Sequence, residues 1–263
     1  MTKFHTTKLF LLILVCPLLQ SHIASAADLD RQAIENLLSS ASKDKPADLR
    51  RKDLQGLDLS GLDLRNADLW GANLKKADLS NADLSGLNLD LTVMVGINLS
   101  GAKLRDVSIF GVHMGGANLS GADLRGSRII ATLDRANLSQ ADLSGANWGV
   151  DIKNQPMGQM RVSLKNANLA GANLAGADLN RAMMQFANFT GANLENTILF
   201  RADLAGADFS GANLKGADLS QARLDAANFR DADLKGTLFR EIKGKSNLQG
   251  LDRARNKKDA VFD

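Results

Sequence analysis

The sequence predicts an all-β solenoid, a chain wound into a square coil with four five-residue faces. Three observations predict it: a large apolar residue at every fifth position, a small Ala two residues before it, and an Asp or Asn one residue before it. The large residues run from Leu49, Leu54 and Leu59 on to Ile129, and then slip back by one residue to Leu133, Leu138, Leu143 and Trp148. They resume at Leu164 and continue to Phe239. Of these 37 centres, 27 are Leu, 25 follow an Ala by two residues and 26 directly follow Asp or Asn, which is too regular for chance. An α-helix would turn successive centres about 140° apart and spiral them around every side. A flat strand would send them alternately to opposite faces. A backbone that turns a corner every five residues gathers them on one axis, and four corners close a coil of 20 residues. Phe189, Phe209 and Phe229 stand 20 residues apart. They therefore form a core ladder on one face and support that coil length without using the Leu.

The elements follow in chain order. Lys3 and Lys8 precede an apolar run from Leu9 to Leu19, and Ala24-Ser25-Ala26 follows a polar stretch. A positive end, an apolar run of about 7–15 residues and a small-x-small site describe a secretory signal peptide. The run is shorter than the ~20 residues a membrane span needs. Residues 1–26 are therefore expected to be removed, leaving no stable membrane span. Val15 stands where a lipoprotein signal would place a small residue before Cys16. Cleavage removes the single Cys, His5 and His22 and lowers the net charge from +3 to +1, since two Lys and no acid leave with it.

Residues 27–46 are expected to form a capping helix and linker. Leu29, Ala33, Ile34, Leu37 and Leu38 share one helical face, with Asp28 and Asp30 at the start and Pro46 in the linker. An open solenoid exposes unpaired edges and an apolar axis, so both ends need covering. A membrane-binding or partner-binding helix is the alternative, and the scarcity of cations argues against it.

Residues 47–241 are the solenoid itself. Segments such as ADLSNADLSG, GANLSGADLR and GADFSGANLKGADLS resemble the pentapeptide-repeat proteins, whose pattern is A-(D/N)-L-x-x. The resemblance covers roughly residues 47–241 and implies a right-handed quadrilateral β-helix. It implies no reaction, because a fold does not fix a function. In physical terms the centre fills the axis, the Ala fits the crowded corner, and the outward Asp or Asn bonds turn amides. Residues 149–163 interrupt the pattern, with Pro156 unable to donate to a ladder. They read either as a bulged coil or as a projecting recognition loop. If the interruption replaces three faces, there are 40 faces in ten coils, roughly 45–50 Å long at ~4.8 Å per coil. After Phe239 the period fails, and residues 242–263 read as a second cap, a dimerisation segment giving a possible homodimer, or a partly disordered tail.

Composition also bounds function. With 44% hydrophobic residues, three Pro and one Cys, the chain is neither disordered, collagenous nor a disulfide scaffold. A mature net charge of +1 gives no electrostatic case for nucleic acid. No catalytic residue, metal site or cofactor is expected: the one mature His, His113, occupies an outward position, and the repeat itself explains the carboxylates as turn residues. Protection of DNA gyrase by a DNA-mimicking rod, a role known in the family, needs a strongly acidic surface and access to the cytoplasm. It is the least favoured reading. The stronger candidate is an apolar patch for a partner: Trp70, Phe110 and Ile130 follow centres on one face at positions that normally hold Ser, Lys or Arg, with Leu91, Val93 and Val95 on or beside that column. A covering loop or corner packing would explain the same residues. The expectation is an exported, non-enzymatic scaffold that binds an envelope protein. It would be periplasmic or secreted, or lumenal in the thylakoid of a photosynthetic host. A structural protein that contacts cell-wall polymer or a membrane surface is the alternative.

Overall fold

The computed structural model describes residues 28–150 and 160–262. The expected signal peptide, 1–26, and residues 151–159 of the interruption lie outside the described residues. Helix α1 (Arg31–Ser39) begins at Asp30, whose side chain accepts a hydrogen bond from the Ala33 amide at 2.8 Å. That bond satisfies one of the free N–H groups of the first turn. Ile34 is fully buried against the solenoid core and Leu29 and Leu38 pack beside it, whereas Leu37 is 39% exposed and not on the buried side.

The rest is a coil of parallel pairings. Regular strands are short: β1 (Ala47–Asp48), β2 (Ala67–Asp68), β3 (Ser108–His113), β4 (Arg128–Thr132), β5 (Leu238–Phe239) and β6 (Val261–Phe262). Isolated bridges connect the remaining faces, with a 20-residue offset wherever the repeat is regular, as in Asp58 to Asp78 and Asp78 to Asn98. Each centre amide bonds one coil onward (Leu59 N–H to Asp78 O, 2.7 Å), and the residue before each centre bonds one coil back (Asp78 N–H to Leu57 O, 2.8 Å). At the corner the chain turns within four residues, for example Ala72 N–H to Leu69 O at 2.9 Å. The second residue after the centre sits in the left-handed region, as at Gly71, where φ is +69°. That is the requirement of a type II turn and the reason Gly is frequent there.

The Asp or Asn before each centre works in two directions. Its Oδ1 accepts the amide two residues on (Ser80 N–H to Asp78, 2.9 Å). The Asn side chains also donate to the previous coil, Asn98 to Asp78 at 2.9 Å and Asn118 to Asn98 at 3.1 Å. The second set forms a side-chain ladder that locks coil to coil, and a repeat pattern read along the chain does not reveal it.

The centres are buried at 0–1% exposure, each Leu contributing roughly 1.5–3 kcal/mol gross. On the third face bridges run unbroken from Asp58 to Gln249 through ten levels. At ~4.8 Å per level that is a height of about 43 Å.

Two expectations about the coil count are corrected. The interruption replaces no faces: Thr132 pairs with Ser163 and Asn147 with Asp178, so Leu133 is followed one coil later by Leu164, and Trp148 by Leu179. The extra residues enter at a single corner between Trp148 and Leu164. The stretch after Phe239 adds a coil of its own: Arg223 pairs with Lys243, Asn228 with Gln249, Asp233 with Arg255, and Leu238 with Val261. These offsets grow by one residue per face, from 20 to 23; short 3₁₀ turns at Lys245–Asn247 and Lys257–Asp259 take up two of the three extra residues, and a turn closed by Arg253 N–H to Gly250 O at 3.1 Å takes up the third. Widening corners destroy the five-residue period without ending the fold.

Candidate functional site

If the faces are numbered from Leu49, Leu54, Leu59 and Leu64, the irregularities collect at the corner between the first and second. The short step from Ile129 to Leu133 and the long step from Trp148 to Leu164 fall there, in consecutive coils. The register of β3 against β4 also shifts there, between Phe110 and His113.

Trp70, Leu91, Phe110 and Ile130 lie on this corner, with Val93 and Val95 on either side of Met94 on the adjoining second face, and the structure separates them. Leu91 is 56% exposed, Val93 42%, Val95 41% and Phe110 38%. Leu91 and Phe110 occupy adjacent coils, the Leu91 amide donating to Phe110 O at 3.4 Å. The Asp90 carboxylate holds this place together, accepting from Phe110 N–H at 2.8 Å and Ser108 Oγ at 3.1 Å. Trp70 is half-buried beneath the Arg51 guanidinium, 4.9 Å from the ring centroid. Ile130 does not belong to the patch, since it is only 2% exposed. The shortened corner lacks a left-handed residue to turn the chain outward, so Ile130 and Ala131 are both enclosed.

Leu91 itself has φ +61°. A bulky apolar residue in that region is uncommon and costs about 1–2 kcal/mol relative to Gly. Phe186 shares both properties, with φ +58° and 65% exposure. Sequence reading passed over it, although testing each outward position for large apolar residues would have found it beside Met184. Trp148, by contrast, is a core residue, its indole N–H donating to Ser127 Oγ at 2.9 Å.

Charge on the other corners is neutralised locally. Arg65 pairs with Asp63 at 2.6 Å and reaches Asp83 on the next coil at 3.8 Å. Arg125 pairs with Asp123 at 2.8 Å and reaches Asp142 at 3.7 Å, and Arg105 also pairs with Asp123. Hydrogen bonds from Arg125 and then Arg105 hold the Asp123 carboxyl well below the usual carboxylate range, against the opposing effect of burial. A lowered folded-state pKa adds stability above pH ~4 that is lost as the pH falls. The urea midpoint is therefore expected to stay level from pH 8 to 5 and drop below pH 4. Asp123→Asn should show a smaller acid drop and cost no more than ~1 kcal/mol at neutral pH, because the Arg partners are half exposed. An identical acid profile in the variant would contradict this assignment.

His113 is exposed on the same corner. Among the described residues no group of three or more His, Cys, Asp or Glu is arranged to hold a metal ion. No helix among them is long and apolar enough to cross a membrane.

The family profile described as pentapeptide repeats matches in eight copies, over residues 58–94, 88–126, 131–148, 160–199 and 202–240. No curated protein sequence matches the chain. Among solved structures, HetL, a pentapeptide repeat protein involved in heterocyst differentiation regulation from the cyanobacterium Nostoc sp. strain PCC 7120, is 29% identical. The match covers 88% of this chain and 94% of HetL, with a TM-score of 0.34. QnrB1, a plasmid-mediated fluoroquinolone resistance protein, is 21% identical over 78% of this chain and 88% of its own, with a TM-score of 0.45. A pentapeptide repeat protein of the Arabidopsis thaliana thylakoid lumen is 36% identical over 31% of this chain and 59% of its own, with a TM-score of 0.30. Likeness at that level of superposition says nothing about partners or activity.

Proposed function

The chain belongs to the pentapeptide-repeat family, and on that premise we propose that it is an exported, non-catalytic scaffold that docks a protein of the cell envelope. Membership implies a right-handed quadrilateral β-helix. We read α1 as the closure of one end and residues 242–262 as the closure of the other. The docking surface is the corner between the first and second faces together with the adjoining second face, formed by Leu91, Phe110, Val93 and Val95, with Trp70 at its margin. Contiguous exposed apolar residues commonly mark a partner site. The observation that carries the reading is Leu91: a strained, exposed Leu stands where Gly would relieve the backbone and remove the apolar surface. A DNA-mimic role is disfavoured because the Asp columns are interleaved with Arg.

The double variant Leu91→Gly with Phe110→Ser is expected to fold at least as well as the parent, gaining about 1 kcal/mol at position 91. It should lose its crosslinked protein partner in a pull-down from the native envelope, and the parent's mass should begin at Ala27. Capture of the same protein by parent and variant would refute the patch. Retention on purified cell-wall material, in place of a protein, would favour the structural alternative.

A further inference from the structure

Beyond the interruption, the corner between the first and second faces carries a column of arginines. Arg161, Arg181 and Arg201 hold the same place on three successive coils, each two residues before the mutually bridged Ser163, Met183 and Asp203. Backbone bonds fix the stack, with Arg181 N–H to Phe200 O at 2.8 Å and Arg201 N–H to Ser220 O at 3.0 Å. Arg181 and Arg201 are both left-handed, at φ +58°.

Several Arg elsewhere meet an Asp on their own or an adjacent coil, as Arg50, Arg65, Arg125 and Arg223 do. Here the neighbouring level supplies another Arg, about 4.8 Å away. Among the described residues no ion pair engages any of the three. The Nε of Arg181 is buried without an acceptor, and a buried donor left unpaired opposes folding. The column lines a shallow cleft of about 640 Å³ with Asp203, Gln221, Arg223, Glu241 and Lys243, so that five cations face two acids, and the Glu241 carboxylate accepts from Gln221 Nε2 at 2.7 Å. Asp203 is already engaged by Arg223 and Gln185. Arg201 Nε donates to Gln221 Oε1 at 2.5 Å and its guanidinium rests over the Phe200 ring, 5.0 Å from the centroid, which restricts its orientation and leaves its terminal N–H groups for a ligand.

The geometry points to a phosphoryl-binding site: Arg161, Arg181 and Arg201 form a row of guanidinium forks for a multiply charged phosphate or diphosphate group. Planar guanidinium groups bind phosphate oxygens in pairs of hydrogen bonds, and a ligand with several such oxygens can span adjacent forks. The column begins two coils beyond Phe110 on the same corner, and it does not depend on the docking proposal.

The test is calorimetric titration of the full chain with inorganic phosphate and inorganic pyrophosphate, at low and at 300 mM salt. We expect saturable binding that is tighter for pyrophosphate and weakened by salt. Arg181→Gln and Arg201→Gln should each weaken it about tenfold or more, while Arg50→Gln leaves it unchanged. Pyrophosphate should raise the melting temperature of the parent and of Arg50→Gln but not of the Arg181→Gln, Arg201→Gln double variant, which should melt no lower than the parent without ligand. Phosphatidate vesicles form a second arm. Vesicle binding that is lost in the double variant and competed by pyrophosphate would support the site with a lipid headgroup as its source. No binding of either anion or of vesicles, or binding that survives in the double variant, would overturn the proposal.

Discussion

Phe209→Ala is expected to destabilise the solenoid by about 3–5 kcal/mol. Phe209 is fully buried between two parallel rings, with centroids 4.9 Å from Phe189 and 5.0 Å from Phe229 and interplanar angles of 4° and 8°. Removing the middle ring leaves a cavity that neither neighbour can fill, because the backbone bonds of each coil hold its position. The aromatic path does not stop at this face. Phe229 meets Phe239 edge-on at 5.5 Å, and Phe239 stacks on Phe262 of the terminal coil at 4.8 Å. Since each coil of a solenoid contacts only its neighbours, the loss should be local. Amide exchange should accelerate from about residue 189 to the C-terminus while the amides of residues 60–130 keep their protection. Phe209→Leu should recover more than half of the lost stability, because Leu occupies the earlier levels of this face. Uniform loss of protection along the rod, or a change below 1 kcal/mol, would mean that the ladder does not support the C-terminal coils in this way.

Ile34→Asp should have a comparable effect by a different route. Ile34 is the one fully buried residue of α1, and its segment is tied to the first coil at several points. The Asp28 amide donates to Asp53 O at 2.8 Å, and the Asp53 amide donates to the Asp28 carboxylate at 2.8 Å. The Arg31 guanidinium donates to the carbonyls of Asp58 and Ser60, each at 3.1 Å. These bonds occupy backbone groups that an open solenoid end would present to another chain. An unpaired carboxylate at position 34 loses the apolar burial and adds a desolvation cost, together roughly 4 kcal/mol. The helix should detach and expose the end. The measurable result is a lower urea midpoint together with a higher-mass population in light scattering that the parent lacks. Ile34→Val should match the parent in both. If the Asp variant stays at the parent's mass with an unchanged midpoint, α1 does not close this end.

Several features could be read from the sequence because they depend on each residue and its own backbone. The five-residue period, the buried centres, the small Ala and the Asp or Asn bonding to turn amides all follow from volume, chirality and local hydrogen bonding. So did the α1 segment, from Asp30 and the spacing around Ile34, and the alignment of Phe189, Phe209 and Phe229, from simple counting. The exposed residues Leu91, Val93, Val95 and Phe110 were recognisable as apolar side chains at outward positions.

Other features were settled only when distant residues came together. Ile130 has the same outward spacing as Phe110, yet it is enclosed because its corner is one residue short. Leu37 looked like a core residue of α1 but lies outside the contact with the first coil. Residues 242–262 lose the period and still form a coil, because widening corners preserve the pairing of Leu238 with Val261. The gathering of both length changes at one corner required the true count of faces, and the 20-residue spacing of Arg161, Arg181 and Arg201 did not reveal that their coils supply them no acid partner. Where the five-residue register holds, the sequence by itself determined which way a side chain points, since that is a property of a few consecutive dihedral angles. The tertiary structure alone decided what lies above and below each side chain, because those neighbours come from another coil, 19 to 31 residues away along the chain.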